Sequence, residues 1–511
     1  MSNQSSSGHL KFEFNLGPAR PMPKPEPESP FRILVLGDFS GAATVGAQPL
    51  PDRRPIRIDI DNFDQVLGKL HPAVLWSGQT DDPNPKRISF ITRDDFHPDR
   101  LWQRDDMFGK FRRLRQQLLD PAAFAQAAAE VRSWAAAQSI DQTTVPTQPA
   151  TAPGTSTTKA EESGLLERLL GRAPSQPPSS APAGGLVDIS ALIKQAVGPY
   201  VTSAADPGRD QLIAAVDAAA GVQMRSLLRA PAFQALEAAW RGMDFLVRQL
   251  ETDEQLSIHL VDISPAQLAA DLTASDNLAK TLIHRVLADQ TVGVPGAEPW
   301  SLIVGLYTFE SSQASAALLA RLAQVAQKAG APLITAADLP SWDAAVSGRQ
   351  FPASDQEAWT ALRRLPAAAY LGLALPRFLL RLPYGAQTDP VECFGFEEMA
   401  GRPEPSAYLW GNPALACACL LGQSFRQSGW VLEPGELCEL GGLPVHVFKH
   451  DGESQMTPCA EIWLNETAAE DYVEQGLMPF LSIRGRDAIR LARFQSVSEP
   501  AAPLQGRWRL E

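Results

Sequence analysis

PAFQALEAAWRGMDFLVRQL, residues 231 to 250, is the stretch from which the rest of this chain can be interpreted. Its apolar residues recur at spacings of three and four, which places them on one stripe of a helix: Phe233, Leu236, Trp240, Met243, Val247 and Leu250. The other face carries the acid-first pairs Glu237/Arg241 and Asp244/Arg248, which stabilise a solvated helix surface. We predict a helix that packs through its stripe, in a core or at an interface.

The composition bounds the class of protein. With 511 residues, 44% hydrophobic and 20% charged, the chain is long enough for two to four globular domains. The net charge of -13 argues against nucleic acid or an anionic membrane as a partner. No apolar run reaches the ~18 residues of a bilayer span and no signal peptide is evident, so we expect no membrane insertion and a cytoplasmic protein. The five cysteines, all after residue 390, are predicted to be reduced and mostly buried.

The first thirty residues combine a strand pattern with a proline-rich tether. In HLKFEFNLG, residues 9–17, alternation places four apolar side chains on one side: Leu10, Phe12, Phe14 and Leu16. The spacer that follows, to about residue 30, cannot pair as a central strand. We predict an arm that pairs with another sheet, and a strand of the chain's own domain is the alternative.

Strand and helix signals alternate from residue 31 to about 137, which predicts a small α/β unit. Its strands are expected at residues 33–36, 56–60 and 88–91, and its helices after Asp61 or Asn62 and from Asp105 to about Asp120.

Residues 138–185 are dominated by Ser, Thr, Pro, Ala, Gln and Gly, a composition that predicts a disordered linker. One island within it, EESGLLERLLGR at 161–172, predicts a short amphipathic helix through Leu165, Leu166, Leu169 and Leu170. Because so short a helix is marginal in water, we expect it to form when docked in a partner's groove. Fortuitous leucines in a linker are the alternative.

From residue 186 to 511 the chain predicts a second, larger α/β domain. A long helical region leads into the 231–250 helix, and LSIHLVDIS, WSLIVGLYTF and APLITAA are expected strands. Helices are expected from Pro265 and over about Ser315 to Lys328.

Motifs in both parts resemble the contractile sheath of the bacterial type VI secretion system. VLGDFSG, PIRIDIDNFD and FITRDDFHPD, within residues 10–135, resemble the small sheath subunit. FQALEAAWRGMDFLV, PGAEPWSLIVGLYTF, LPRFLLRLPYG and YLWGNPALACA, within residues 190–500, resemble the large sheath subunit. The resemblance implies a natural fusion of the two, with two sheath-type α/β domains joined by the linker.

The resemblance also implies a structural role and a set of partners. In this family the two subunits form an intimate heterodimer, and copies stack around an inner tube. The implied partners are other sheath subunits, the hexameric inner-tube protein and baseplate proteins. The large subunit's leucine-rich N-terminal helix is recognised by an AAA+ unfoldase, a role that the resemblance carries to Leu165, Leu166, Leu169 and Leu170.

Two departures from the family pattern lead to an alternative. Gly305-Leu306-Tyr307 stands where the large subunit has a carboxylate after the glycine, so we expect a polar contact to be lost. The large subunit also continues past ARFQSVSEP with further strands, so we expect a domain truncated at its C-terminus. The alternative is an accessory protein of sheath fold that caps, nucleates or regulates a sheath without polymerising.

No residue pattern predicts an enzyme, a cofactor or a metal site. The Gly37–Gly41 turn after the first strand lacks both the P-loop ending and a G-x-G-x-x-G string, so its glycines are interpreted as turn formers. A nucleotide-dependent enzyme that uses this turn is the alternative from a different class. The neighbouring carboxylates Asp94/Asp95 and Asp105/Asp106 are expected in solvated turns and caps. His446 and His450, in an expected hairpin, lack companion ligands.

Strings rich in Trp, Phe, Pro and Gly instead suggest packing and interfaces. Arg377 and Arg381 flank an apolar patch in LPRFLLRLPYG, and Trp410 lies in YLWGNP. The arginines could pair with acids of a neighbouring subunit, and internal salt bridges are equally compatible with the sequence.

Overall fold

The structure is a computed structural model that describes residues 25–45, 53–77, 85–140, 208–292, 294–349, 351–399 and 403–508. Three predicted features lie outside the described residues: the arm with Leu10, Phe12, Phe14 and Leu16, the leucine helix with Leu165, Leu166, Leu169 and Leu170, and the linker after Ile140.

The described chain contains fifteen strands. They are β1 Phe31–Gly37, β2 Ile56–Ile58, β3 Ala73–Trp76, β4 Lys86–Ser89, β5 Leu256–Asp262, β6 Leu302–Phe309, β7 Leu333–Ala337, β8 Leu371–Leu375, β9 Phe378–Leu379, β10 Trp410–Gly411, β11 Glu439–Leu440, β12 Val447–His450, β13 Glu453–Met456, β14 Leu477–Ser482 and β15 Ile489–Leu491.

Its α-helices are α1 Ala42–Val45, α2 Phe63–Leu70, α3 Pro98–Trp102, α4 Asp105–Leu119, α5 Phe124–Ile140, α6 Arg209–Leu228, α7 Pro231–Gln249, α8 Pro265–Thr273, α9 Leu282–His284, α10 Gln313–Ala329, α11 Leu339–Val346, α12 Ala353–Arg363, α13 Pro413–Ser428 and α14 Glu466–Glu474. The predicted α/β class is confirmed.

The described residues form two compact units. The first comprises those of Met1–Gly78, Pro83–Gly109 and Met224–Glu511, and the second those of Lys110–Gln223. We call residues 25–109 of the first unit its N-terminal part and residues 224–508 its C-terminal part.

The first unit is built on a nine-stranded sheet with the order β11-β15-β14-β8-β7-β6-β1-β5-β2. The six strands from β14 to β5 pair in parallel, whereas β15, β11 and β2 are antiparallel to their neighbours. Strand β1 lies between β5 and β6. The boundary between the two predicted α/β units therefore does not separate two sheets, because β1 and β2 of the N-terminal part join the sheet of the C-terminal part.

Helices cover both faces of this sheet, which is why its central strands are apolar on both sides. On one face, helices α8 to α12 pack in a core with Leu34 and Leu36 of β1 and Ile303 of β6. On the other face, α13 lies against the central strands and α7 packs on α13. Gly242 of α7 and Gly422 of α13 permit this close approach, since a Cβ at either would press against a leucine side chain.

Local signals in the sequence explain most element boundaries. Ser264 and Gln267 form a capping box at the start of α8, and Pro265 occupies the first turn as predicted. The expected strand through Ile60 ends instead at Ile58, and Ile60 is 57% exposed. Asn62 precedes α2 as predicted but does not cap it, because its Oδ1 accepts a hydrogen bond from Asp59 N at 3.0 Å.

The second unit is helical and contains residues of α4, α5 and α6. Leu114 and Leu118 of α4, Val131 of α5 and Val216 of α6 are buried. Arg115 Nε lies 3.1 Å from Asp217 Oδ1, which ties α4 to α6. Helix α5, which the sequence analysis did not predict, continues into the first residues of the expected linker.

Candidate functional site

The candidate functional site is the contact between the N-terminal and C-terminal parts of the first unit, which we call the joint. Strand β1 pairs with β5 over seven residues, from Phe31↔Leu256 to Gly37↔Asp262. It pairs with β6 over four, from Ile33↔Leu302 to Leu36↔Gly305. Its five bulky apolar side chains are fully buried. Burial of such side chains stabilises by about 1.5–3 kcal/mol each, so the strand is held by packing as well as by its two ladders.

Trp240 of α7 contacts the N-terminal part directly. Its indole Nε1 donates a hydrogen bond to the carbonyl of Phe39 at 2.9 Å. Its ring packs edge-on against Phe39 and Phe63, at centroid distances of 5.4 Å and 5.7 Å. The hydrogen bond fixes the register between α7 and the turn after β1, because a buried indole N–H is costly to leave unpaired.

Phe233, about two turns before Trp240 on α7, joins a second aromatic group. Phe90 and Phe96 stack at 4.1 Å, and both meet the Phe233 ring edge-on at 5.8–5.9 Å. All six residues of the predicted stripe are buried: Phe233, Leu236, Trp240, Met243, Val247 and Leu250. At least two of them therefore pack across the joint.

Polar contacts surround this aromatic core. Arg93 Nη1 lies 2.9 Å from Asp244 Oδ2 on α7. The Asp99 carboxylate accepts hydrogen bonds from the backbone N–H groups of Glu392 and Cys393 at 3.1 Å and 3.0 Å. Burial alone would raise the pKa of Asp99, but these two amides lower it below its ordinary value. The joint thus has the anatomy of a protein interface, with an apolar centre and a polar rim.

One pair predicted on a solvated face of α7 is instead buried. Glu237 is 0% exposed, and its Oε1 lies 2.7 Å from Arg241 Nε and 2.9 Å from Arg381 Nε. Arg381 Nη1 also reaches Glu398 Oε2 at 2.7 Å. Arg241 Nη2 donates to the Tyr384 hydroxyl at 2.7 Å. The sequence prediction was wrong here because the loop that carries Arg381 and Glu398 covers this face of the helix.

These five residues form a compensated set, which we call the buried ion network. Burial alone would raise the pKa of Glu237, but Arg381 and Arg241 hold it below its ordinary value. Burial would lower the pKa of Arg381, and the two glutamates raise it instead. Glu237 and Arg381 therefore both remain charged in the core, and removing one of them would leave the other buried without its counter-charge.

The other pair on α7 behaves as the sequence predicts. Arg248 Nε lies 2.9 Å from Asp244 Oδ1, and the Arg248 side chain is half-exposed. Asp244 is nevertheless shared, since it also binds Arg93 across the joint.

The sequence leaves Arg377, Arg381 and Trp410 as possible interface residues, with internal salt bridges equally compatible for the two arginines. Both arginines pair within the chain: Arg377 binds Glu461, with Nε to Oε2 at 2.8 Å, and Arg381 belongs to the buried ion network. Trp410 is buried, and its Nε1 donates to the carbonyl of Pro405 at 2.8 Å. These contacts correspond to the internal alternative for the two arginines.

The Gly37–Gly41 turn lies at the carboxyl edge of the sheet, but its backbone N–H groups are already bound. Asp262 Oδ1 accepts from the amides of Phe39 and Ser40 at 2.8 Å and 3.0 Å. The Asp38 carboxylate accepts from Ala42 and Ala43 at 2.7 Å and 2.8 Å. A phosphate here would have to displace two carboxylates. Gly41 is required for the turn, since its φ is +75° and a Cβ would collide with the carbonyl of Ala73.

The remaining candidate chemical groups also have structural partners. Asp95 Oδ2 accepts from the amides of Ile91 and Thr92 at 2.6 Å and 2.9 Å, the expected capping role. His446 Nδ1 lies 2.6 Å from the Tyr408 hydroxyl, beside the β12–β13 hairpin. All five cysteines are free thiols, and Cys417, Cys419 and Cys459 are buried.

Two absences apply to the described part of the chain. There, no three His, Cys, Asp or Glu side chains are grouped so as to hold a metal ion. No helix within the described ranges is both long and apolar enough to cross a membrane.

Sequence reasoning missed the partners of α7 rather than the helix itself. Tyr384 and Glu398 complete the buried ion network but show no periodic pattern. One signal was available: Arg381 stands inside the apolar string LPRFLLRLPYG, and a charged residue in such surroundings predicts a buried counter-charge.

Comparison with known proteins adds an independent finding. The family model described as EvpB/VC_A0108, tail sheath N-terminal domain, matches residues 210–498, which is 289 of the 511 residues. A second model, described as Type VI secretion system, VipA, VC_A0107 or Hcp2, matches residues 15–135. The joint therefore lies between segments matched by two different families.

A curated relative gives the same indication. Over 309 residues the chain is 35% identical to the type VI secretion system sheath protein TssC1 of Pseudomonas aeruginosa. The match covers 57% of this chain and 62% of that protein, so the chain spans less than two thirds of the relative's length.

Proposed function

The chain belongs to the tail-sheath family of the type VI secretion system, and on that premise we propose that it is a structural sheath component carrying the small and large sheath segments on one polypeptide. The resemblance to two sheath subunits in one chain is confirmed by the two family matches. In the proposed role, the protein assembles around the inner tube or at its end.

The position of β1 is the observation that supports this proposal most strongly. A strand from the VipA-matched segment lies between two strands of the VipB-matched segment, with ladders on both sides. A strand in that position cannot leave without opening the middle of the sheet. Strand β1 and the sheet of the VipB-matched segment therefore belong to one compact unit, as expected of an obligate pair rather than of two tethered domains.

Carrying both segments on one chain fixes their ratio at one to one. If residues 138–185 form the linker that the sequence predicts, they also give an effective concentration in about the millimolar range, which favours pairing within one chain over exchange between chains.

The proposal includes the partners that the family resemblance implies. These are other sheath subunits, the hexameric inner-tube protein and baseplate proteins, in the cytoplasm. The arm residues Leu10, Phe12, Phe14 and Leu16 would pair with a neighbouring subunit, and the leucines of residues 165–170 would bind an AAA+ unfoldase. Both assignments rest on sequence alone.

We propose further that the protein is not an enzyme. The turn most suited to a phosphate, Gly37–Gly41, is occupied by Asp38 and Asp262. The thiols of Cys417 and Cys419 are buried, and burial raises the pKa of each, so neither is an activated nucleophile.

Electron microscopy of the purified protein, with and without a hexameric inner-tube protein, tests the proposal. Ordered assemblies of sheath dimensions around the inner tube, or protein bound at its end, are the expected result. Protein that alters sheath assembly without itself polymerising would favour the accessory role. Protein that stays monomeric and binds neither tube nor sheath would overturn the proposal.

A further inference from the structure

A cleft of about 580 Å³ opens at the amino-terminal edge of the sheet, on the side opposite the Gly37–Gly41 turn. The N-terminal part contributes Arg32 and Arg54, and the C-terminal part contributes His259, Gln290, Glu298 and Trp300. The volume lies in the range of small-molecule sites. Because β1 and β5 are paired, the joint itself creates this cleft.

Arg32 is held rigidly at the back of the cleft. Its guanidinium stacks on the Trp300 ring, 4.2 Å from the centroid, and its Nη1 donates to the carbonyl of Glu298. The Glu298 carboxylate is less tightly placed, since its Oε2 lies 3.6 Å from Arg32 Nε and its side chain is 58% exposed. Glu298 can therefore yield to a stronger anion without disturbing the stack.

His259 lines the cleft close to Arg32 and Arg57. Its Nδ1 is buried, and within the described residues it has no hydrogen-bond partner. Burial, with the charges of Arg32 and Arg57, lowers the pKa of His259 to about 4. The imidazole is therefore neutral at physiological pH, and one of its two ring nitrogens carries an N–H that can be donated to an acceptor. Burial and then the charge of Arg32 lower the pKa of Arg507, which therefore also lies near Arg32 although it does not line the cleft.

We propose that this cleft binds a phosphate group, either free phosphate or that of a small phosphorylated molecule, between Arg32, Arg54 and His259. Two guanidinium groups and a ring N–H match the acceptor oxygens of a tetrahedral dianion. The Trp300 face is already covered by Arg32, so the site is suited to a phosphate rather than to stacking of a nucleobase.

Binding at this position is coupled to the joint. The ligand contacts residues of both matched segments and cannot make the same contacts with either alone. By linkage it stabilises the joined state and raises the temperature at which the sheet unfolds.

Isothermal titration calorimetry of the full chain tests the site with sodium phosphate, ribose 5-phosphate, and sodium chloride at equal ionic strength. Phosphate should bind with saturable heat and chloride should not. Tighter binding of ribose 5-phosphate than of phosphate would identify a phosphorylated metabolite as the ligand class, and equal binding would identify free phosphate.

Three charge variants make the test specific. Arg54→Gln, at an exposed position, should weaken phosphate binding about tenfold, the value of one charge-assisted hydrogen bond. Glu298→Gln should strengthen it about tenfold, the Coulomb effect of removing one negative charge roughly 6 Å from a dianion in a water-like medium. Arg364→Gln is the control and should leave phosphate binding unchanged, because the Arg364 side chain is 70% exposed and does not line the cleft.

Neither of the two cleft substitutions lies in the core, so misfolding does not obscure the outcome. Absence of saturable phosphate binding, or equal effects of Arg54→Gln and Arg364→Gln, would overturn the proposal.

Discussion

Replacing Arg381 with methionine should destabilise the first unit far more than any surface arginine does. Arg381 is almost wholly buried and binds Glu237 and Glu398, with its closest contact at 2.7 Å. Methionine fills a similar volume but leaves the two carboxylates with Arg241 as the remaining cation of the network. Breaking a buried ion pair in this way costs about 3–5 kcal/mol.

The loss should depend on pH, with a sign that follows from the network. In the native protein the pKa of Glu237 is lowered, so its contribution is present above the unfolded-state pKa and is lost as the pH falls through the folded-state value. In the variant, only Arg241 opposes the effect of burial on the pKa of Glu237. The folded-state pKa of Glu237 should therefore lie above its unfolded-state pKa. The destabilisation should therefore grow as the pH rises from about 5 to about 8.

Unfolding in guanidinium chloride, monitored by tryptophan fluorescence, measures the loss of stability. Arg377→Met is the matched control: the Arg377 side chain is 48% exposed, and losing its pair with Glu461 should cost about 1 kcal/mol. Adding Glu398→Gln to Arg381→Met should recover part of the loss by removing one stranded charge. If Arg381→Met lowers the free energy of unfolding no more than Arg377→Met does, at about pH 5 and at about pH 8, the reasoning about the buried ion network is refuted.

Three further predictions concern the turn, the connection and the leucine helix. Gly41→Ala should destabilise the first unit by about 2 kcal/mol or more, because a left-handed φ and a collision with Ala73 combine, and thermal unfolding checks this. A protease site placed within residues 145–160 should, after cleavage, leave both fragments co-eluting in size exclusion, whereas separate elution would show that the covalent connection holds them. Leu166→Asp with Leu169→Asp should abolish pull-down by the AAA+ unfoldase without changing thermal unfolding, and unchanged pull-down would show that these are fortuitous leucines of a linker.

Elements with strong local signals were predictable from the sequence. Helix α7 carries a 3.6-residue period, and β1, β5, β6 and β7 are short apolar runs beside turn residues. Helix α5 was missed because its alanine-rich sequence, FAQAAAEVRSWAAAQSI, has almost no amphipathic contrast. Strand β3 was missed because four residues offer too little alternation to distinguish it from a loop.

The arrangement of these elements was not predictable in the same way. Nothing in the period of β1 indicates that its neighbours are strands more than 200 residues later, because pairing between distant segments leaves no local pattern. The same limit applies to Glu237. A Glu/Arg pair four residues apart gives the same sequence pattern on a solvated and on a buried face. The residue that pairs with Glu237 in the core, Arg381, is 144 residues away.

The central claim is that β1 of the VipA-matched segment is an internal strand of the VipB-matched sheet. Hydrogen exchange measured by mass spectrometry on the full chain tests it most directly. The account predicts that amides of Phe31–Gly37 exchange as slowly as those of Leu302–Phe309, because freeing β1 requires opening the ladders to both β5 and β6. Exchange of residues 31–37 that is orders of magnitude faster than that of β6 would contradict it.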